Sequence, residues 1–318
     1  MTTDGGAAER RVLAADVGGS FIRMAAVGGA DDVGAVKRRP TPADDLTGFA
    51  DALGELIGEL ETATGIGRDA PLALATAGIV DPDNGLALAA NIPCFTGEPV
   101  AERLSAALGR PVGLINDADA FALAEATAGV GRGQRIVFGA ILGTGVGGGL
   151  VVDGRLVRGA GGFTGEWGHG PIANPLPQNT DGPLPRMACG CGQVGCADTF
   201  GGARGLERLH LALGHPAADS HAIVAAWTAG KPAAGRTVAL WAELLCEPLA
   251  LTINLTGASI VATGGGLGSD PALVALLDRE VRARILRRLD TPLLTPGRLE
   301  NAALVGAAIL ARQIGRGA

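Results

Sequence analysis

"RVLAADVGGSFIRMAAV", residues 11–27, decides the fold. An aliphatic run ends at Asp16, Gly18 and Gly19 turn the chain, and a second apolar run starts at about Phe21, which reads as two strands around a turn that no side chain obstructs. A Gly-Asp turn and a third strand running to Lys37 complete the unit. The pattern recurs in "RIVFGAILGTGVGGGLVVDGRLVRG", residues 135–159: a strand from Ile136, a glycine-rich turn, a strand from Leu150, a turn at Asp153-Gly154 and a strand to Val157. Two halves of one design are the economical reading.

The segments between them alternate helix and strand. Phe49, Leu53, Leu56, Ile57 and Leu60 recur at helical spacing while Glu55 and Glu59 take the other face. "LALA" at Leu72 to Ala75 is a short strand. A second helix, Val100 to Leu108, should stop at Gly109, and "PVGLI" follows as a strand that delivers Asn116 and Asp117 at its carboxyl end, where open α/β sheets put their chemistry. Further on, "SIVATGGGLGS" is a strand running into glycines, followed by a helix from about Pro271 to Leu289 with Leu273, Leu276, Leu277, Val281 and Ile285 on one face. Pro248 is expected to kink or split the helix from Val238 to Asn254. A small-residue helix in "ENAALVGAAILARQI" closes the chain. No low-complexity linker separates the halves, so their boundary is expected within the helix after Asp117.

With 318 residues the chain exceeds what one core ordinarily fills. The 32 acidic and 26 basic side chains give a net charge of −6, and no Lys/Arg cluster could track a phosphate backbone, so nucleic acid is not an expected partner. No signal-like apolar core precedes Asp16, and the most apolar windows are interrupted by Gly, Asp or Pro short of the roughly 20 residues a membrane span needs. A cytoplasmic protein without a membrane partner is expected. Five cysteines in a reducing compartment are poor disulfide candidates. Cys94 and Cys246 stand alone and read as small buried residues, whereas "CGCGQVGC", Cys189 to Cys196, packs three into eight positions and leaves a tetrahedral zinc one ligand short.

Three glycine turns follow strands: "DVGGS" at Asp16, "GTGVGGG" at Gly143 and "TGGG" at Thr263. Backbone N–H groups in such turns can approach a phosphate without Cβ interference. None fits the P-loop pattern or a dinucleotide-binding G-x-G-x-x-G between strand and helix.

At this point a family resemblance is carried by named residues. The two strand–glycine–strand units, the Asn-Asp at a strand end and the trailing "GGG" resemble the actin-like ATPase (ribonuclease H-like) fold of sugar kinases. "GTGVGGGLVVDGRLVRGAGGFTGEWGH", residues 143–169, together with "CGCGQVGC" resembles the ROK family, over about Val12 to Arg312. The resemblance implies an α/β protein of two lobes with the active site in the cleft between them. Residues 1–117 would form the small lobe, with a C-terminal helix at about 303–318 packing back on it, and 118–302 the large lobe with a zinc-binding loop. It implies MgATP as phosphoryl donor, a sugar as acceptor, a structural zinc and a homodimer.

Residue by residue, the resemblance makes Asp117 the general base in contact with the sugar, with Gly78, Asn91, Asn116, Glu166, His169 and Asp198 holding the sugar. Asp16 falls on the Mg²⁺ side, Gly18, Gly19, Ser20, Thr144 and Gly145 at the phosphates, and Gly264, Gly265 and Gly266 near the adenosine. The motif "GEWGH" supplies His169 as the fourth zinc ligand beside Cys189, Cys191 and Cys196. The sequence departs from the family pattern at three places: Asp198 replaces the usual Glu, Phe21 replaces a cation, and Ala77 replaces a proline. Within the family, "AANIPCFTGEPVAERLSAALGRPVGLINDADAFALAEA" and the cysteine segment are more similar to N-acetylglucosamine kinases than to glucokinases. They imply phosphorylation of N-acetyl-D-glucosamine at its 6-hydroxyl, the acetamido group lying near Asn91 to Thr96 and Asp198. The alternatives are a glucokinase or fructokinase of the same family, or a catalytically weak sugar-binding sensor.

Overall fold

A computed structural model describes residues 10–89, 91–170, 174, 176–180 and 182–316. Val12–Val17 (β1) is buried along its length except for Asp16, as a central strand flanked on both faces must be. It pairs antiparallel with Phe21–Gly29 (β2), which opposes Asp16 to Arg23. The expected third strand is two pieces, Asp32–Val33 (β3) and Lys37–Pro40 (β4). Both pair with β2, but a register shift between Val27 and Gly29 interrupts the run, and Lys37 begins the second piece rather than ending the first.

The helix Leu46–Thr64 (α1) buries Phe49, Leu53, Leu56, Ile57 and Leu60, the five residues picked by periodicity. It is capped by Asp45, which accepts from Thr47 N–H, and by left-handed Gly65. Leu72–Thr76 (β5) then lies parallel to β1. A small hairpin of Ile79–Val80 (β6) and Ala87–Leu88 (β7) precedes Val100–Leu108 (α2), which stops at Gly109 with φ 63°. Val112–Asn116 (β8) lies parallel to β5. Phe49 and Phe95 meet edge-to-face, 4.8 Å between centroids, inside the core of this sheet.

Asp117–Thr127 (α3) is buried nearly all round, Glu125 included. A helix enclosed on every side has no amphipathic stripe, and its alanines instead allow close approach by another helix.

The second sheet repeats the first. Ile136–Leu142 (β9) pairs antiparallel with Val146–Val152 (β10), which leads through Asp153-Gly154 to Arg155–Leu156 (β11). β10 begins at Val146 and not at Leu150, so Gly147 to Gly149 are strand residues. Asp198–Gly201 (α4), Ala203–Ala212 (α5) and Ser220–Thr228 (α6) follow, then Pro232–Thr256 (α7).

Pro248 does not divide α7, which runs for 25 residues with Trp241, Leu244, Leu245 and Leu249 fully in the core. Because the helix continues through the proline, its length and composition would suit a membrane span, contrary to the sequence expectation. Two-thirds of its most apolar window is nevertheless buried within the protein, as befits a core helix. Ile260–Gly264 (β12) lies parallel to β9, followed by Gly265–Gly268 (α8) and Pro271–Arg282 (α9). α9 ends at Arg282 rather than Leu289, because the chain turns back so that Leu293 and Leu294 can donate N–H bonds to buried Asp278 Oδ1. Leu294–Pro296 (β13) lies parallel to β12.

The two sheets thus have one strand order: β3-β2-β1-β5-β8 and β11-β10-β9-β12-β13. The chain divides into two units, Met1–Gly129 with Leu156–Thr164 and Leu299–Ala318, and Val130–Arg155 with Gly165–Arg298. α3 belongs wholly to the first unit, so the division falls after this helix and not within it. The last helix, Ala302–Gly315 (α10), also belongs to the first unit and crosses α3 at close range: a Cβ on Gly306 would stand 2.0 Å from Ala120 O.

That contact gives a prediction of opposite signs for one substitution. Gly306→Ala should lower stability by about 1–3 kcal/mol, because backbone cannot move aside as a rotamer can. Gly58→Ala in α1, exposed and with nothing within 4 Å of the new Cβ, should raise stability by roughly 0.5–1 kcal/mol. Urea titration of both variants checks it, and a stabilising Gly306→Ala would refute the close crossing.

Candidate functional site

In the first unit, parallel register brings the ends of three strands level: Val17 opposite Thr76, and Thr76 opposite Asn116. The residues that follow each end therefore gather at one edge. At β1 the Gly18–Gly19 turn closes with Gly18 N–H on Phe21 O at 3.0 Å, and Thr41 ties it down by donating its hydroxyl to Gly18 O at 2.7 Å. Asn91 packs over it so closely that a Cβ on Gly19 would lie 3.0 Å from Asn91 O. Ser20 is exposed beside this turn.

Asp16 accepts from Arg23 Nη1 at 3.1 Å, and Arg23 also donates to Asn301 Oδ1 at 3.1 Å. Desolvation pushes the Asp16 carboxyl up, and Arg23 opposes it. The sequence does not single out Arg23: a two-residue turn at Gly18–Gly19 would set residue 21 across from residue 16, whereas the observed register, with four residues between the paired strands, sets Arg23 there. Phe21, where a cation is usual in the family, carries one overhead: the Arg38 guanidinium lies 3.4 Å from its ring centroid.

Asn116 is the N-cap of α3. Its Oδ1 accepts from Ala118 N–H (2.9 Å) and Asp119 N–H (3.3 Å), and its Nδ2 donates to Gly78 O (2.9 Å), which leaves one amide hydrogen for a ligand. Gly78 is required by proximity, since a Cβ there would sit 2.7 Å from Leu88 O. Asp117 is the first helical residue of α3 and its Oδ1 accepts from Ala118 N–H at 2.8 Å. Desolvation raises its pKa above the ordinary carboxylate value, the Ala118 N–H opposes this, and the charge of Asp16 pushes up again. The side chain remains open to solvent, so crowding around the carboxylate raises its pKa without sealing it from substrate.

In the second unit the glycines divide between two tasks. Gly148 makes room for the "GEWGH" segment, since a Cβ there would meet Gly165 O at 2.6 Å and Trp167 Cδ1 at 2.8 Å, and Trp167 Nε1 donates to Gly147 O at 2.9 Å. Gly143 to Gly145 form the turn itself. Gly264 follows in register with Ile141, and Gly265, with φ 80°, lies against Leu142 and Gly143. A cavity of about 720 Å³ opens beside these turns, lined by Gly143, Thr144 and Gly266 together with groups from α6 and the start of α9 that the sequence does not single out, His221 and Asp270 among them.

Asp198 is held on three sides. Its backbone N–H donates to Gly168 O (2.9 Å), its Oδ1 accepts from Val146 N–H (2.7 Å), and Cys189 Sγ lies 3.5 Å from its Oδ2. Gly145 must be glycine to admit it, since a Cβ would fall 2.5 Å from Asp198 Oδ1.

His169 and the three clustered cysteines come together. Their ligand atoms all lie within 4.8 Å of one another, with Cys189 Sγ to His169 Nδ1 and Cys191 Sγ to Cys196 Sγ both 3.6 Å. Zinc bonds of about 2.3 Å to sulfur and 2.0–2.1 Å to nitrogen give tetrahedral edges of about 3.8 Å between sulfurs and about 3.6 Å from sulfur to nitrogen. The donor set and spacing therefore fit zinc. Glu166 Oε2 stands 3.6 Å from His169 Nε2, on the side of the ring away from the sulfurs. All five cysteines are free thiols; Cys246 is buried and its thiol is pushed up to about 12 by burial, while Cys94 is only partly covered.

The comparisons accord with this geometry. The ROK family profile matches residues 12–314. The chain is 34% identical over 304 residues to an N-acetylgalactosamine kinase of Shewanella sp. (strain ANA-3), covering 95% of this chain and 97% of that protein. It is also 34% identical over 298 residues to an N-acetyl-D-glucosamine kinase of Escherichia coli O6:H1, covering 93% and 97%. Among solved structures it resembles a ROK family glucokinase from Streptomyces griseus in complex with glucose and AMPPNP, at 26% identity and TM-score 0.75, covering 95% of this chain and 99% of that one. This chain therefore belongs to the ROK family and has the actin-like ATPase fold of its sugar kinases.

Proposed function

We propose that this protein transfers the terminal phosphoryl group of MgATP to the 6-hydroxyl of N-acetyl-D-glucosamine. The observation that carries the reading is Asp117, a carboxylate beyond the end of β8 with Oδ1 fixed by Ala118 N–H, Oδ2 left to take a proton, and a pKa raised toward the working range of a general base. As the sugar oxygen bonds to the terminal phosphorus, its proton passes to Asp117 Oδ2 and the bond from phosphorus to the bridging oxygen breaks, releasing ADP. Asn116 offers its spare amide hydrogen to a sugar hydroxyl, with Gly78, Asn91, Glu166, His169 and Asp198 as the other sugar contacts.

Asp16, oriented by Arg23, serves the Mg²⁺ side. Gly18, Gly19, Ser20, Thr144 and Gly145 offer backbone and hydroxyl donors to the phosphates, and Gly264 to Gly266 border the adenosine. His169, Cys189, Cys191 and Cys196 would hold a structural zinc that orders the cysteine loop and fixes the His169 ring through Nδ1. A homodimer and a cytoplasmic location complete the proposal and rest on the family resemblance.

The equal identity to an N-acetylgalactosamine kinase favours a second reading, the 4-epimeric amino sugar, at the same site. The test is kcat/KM under identical MgATP for N-acetylglucosamine, N-acetylgalactosamine, N-acetylmannosamine, glucose and fructose, followed by ADP release. N-acetylglucosamine should lead glucose by at least about tenfold, because partners built for the amide are left unpaired by a sugar without it. Preference for N-acetylgalactosamine would select the second reading. Preference for glucose or fructose would move the protein to another substrate of the family, and turnover of none would make it a sensor.

A further inference from the structure

The sequence assigns glycines to the nucleotide but no group to its ribose. Among the described residues one carboxylate lines the cavity beside those glycines, Asp270, between walls made apolar by Val224, Leu267 and Leu273. Asp270 is the N-cap of α9, and its Oδ1 accepts from Ala272 N–H and Leu273 N–H, both at 2.9 Å. Those two bonds use both lone pairs of Oδ1. Capping needs no more than this, and Asn or Ser would supply it as well. Oδ2 keeps both its lone pairs, and no side chain among the described residues forms an ion pair or hydrogen bond with it. A carboxylate is only an acceptor, so its partner in the cavity must be a donor; phosphates are repelled from it.

We propose that Asp270 reads the ribose of the phosphoryl donor, its Oδ2 accepting hydrogen bonds from the adjacent 2′- and 3′-hydroxyls, so that the protein selects ribonucleotides over deoxyribonucleotides. Two neighbouring hydroxyls match two free lone pairs, and a charge-assisted bond in a partly dry cavity discriminates more strongly than a neutral one. The inference rests on MgATP being the donor and on this cavity holding its nucleoside.

Calorimetric binding of ADP, 2′-deoxy-ADP, 3′-deoxy-ADP and IDP to the wild type and to Asp270→Asn tests it without requiring turnover. The wild type should bind ADP about tenfold or more tightly than either deoxy analogue. Asp270→Asn keeps the cap but presents an amide donor in place of Oδ2; it should bring the three within about threefold of one another, with its Tm unchanged and IDP following ADP in both proteins. Discrimination that survives Asp270→Asn overturns the assignment and leaves Asp270 a cap alone. Weak IDP binding by the wild type, relieved in the variant, would give the carboxylate to the base amine instead. Failure of the wild type to bind ADP at all would refute the donor reading itself, and the inference with it.

Discussion

Asp117→Asn should abolish nearly all turnover, by about 100- to 10,000-fold in kcat, while the protein still folds and binds ADP. The amide keeps the shape of the carboxylate and can still accept from Ala118 N–H through its oxygen, but it has no basic lone pair for the sugar proton. The stability of this variant should move the other way. Asp117 has a raised pKa in the folded protein, so it contributes most below its unfolded pKa, and that contribution is lost as pH rises through the folded value. Near neutrality the charged carboxylate is therefore a burden, made worse by Asp16, and Asp117→Asn should melt no lower than the wild type. For the same reason the acid limb of the wild-type pH–rate profile should lie above the ordinary Asp range. A variant that kept most of its kcat would assign the base to another group, and one that simply unfolded would remove the stated cause.

The second large effect concerns the metal. Protein prepared without a histidine tag should carry about one zinc per chain, because His169, Cys189, Cys191 and Cys196 make a complete tetrahedral set. Cys191→Ser removes the most exposed ligand. It should abolish stoichiometric zinc, open the segment from Met187 to Cys196 to proteolysis, and reduce activity by at least about 10- to 100-fold through loss of the fixed His169 ring. Metal analysis, limited proteolysis and sugar kinetics on one preparation separate these effects. A wild type without zinc and with an intact, protease-resistant loop would show that the four side chains pack together without an ion.

Much of this was legible in the sequence where one local rule governed. The buried face of α1 follows from spacing, and the end of α2 from Gly109, because neither depends on distant residues. Reading failed where packing from elsewhere decided. The strand at Val146 looks like loop because its glycines serve the "GEWGH" segment that lies upon it, and α3 shows no periodic stripe because it is buried nearly all round between its exposed ends. α7 absorbs Pro248 because its surroundings hold it as a helix through the missing N–H. At the site, motif residues were legible because the family spaces them regularly. Arg23 needed only the hairpin register to be found, whereas Asp270 could not be distinguished from any other helix cap until the cavity beside it was seen.

The first unit takes its last helix from the far end of the chain, and this fixes an order of events on the ribosome. All of the second unit is translated before α10, so its earlier part can begin to consolidate while the nascent sheet around β1 and β5 still lacks the helix that covers it. Until residues 302–315 emerge, that apolar face is open to chaperones and to other unfinished chains.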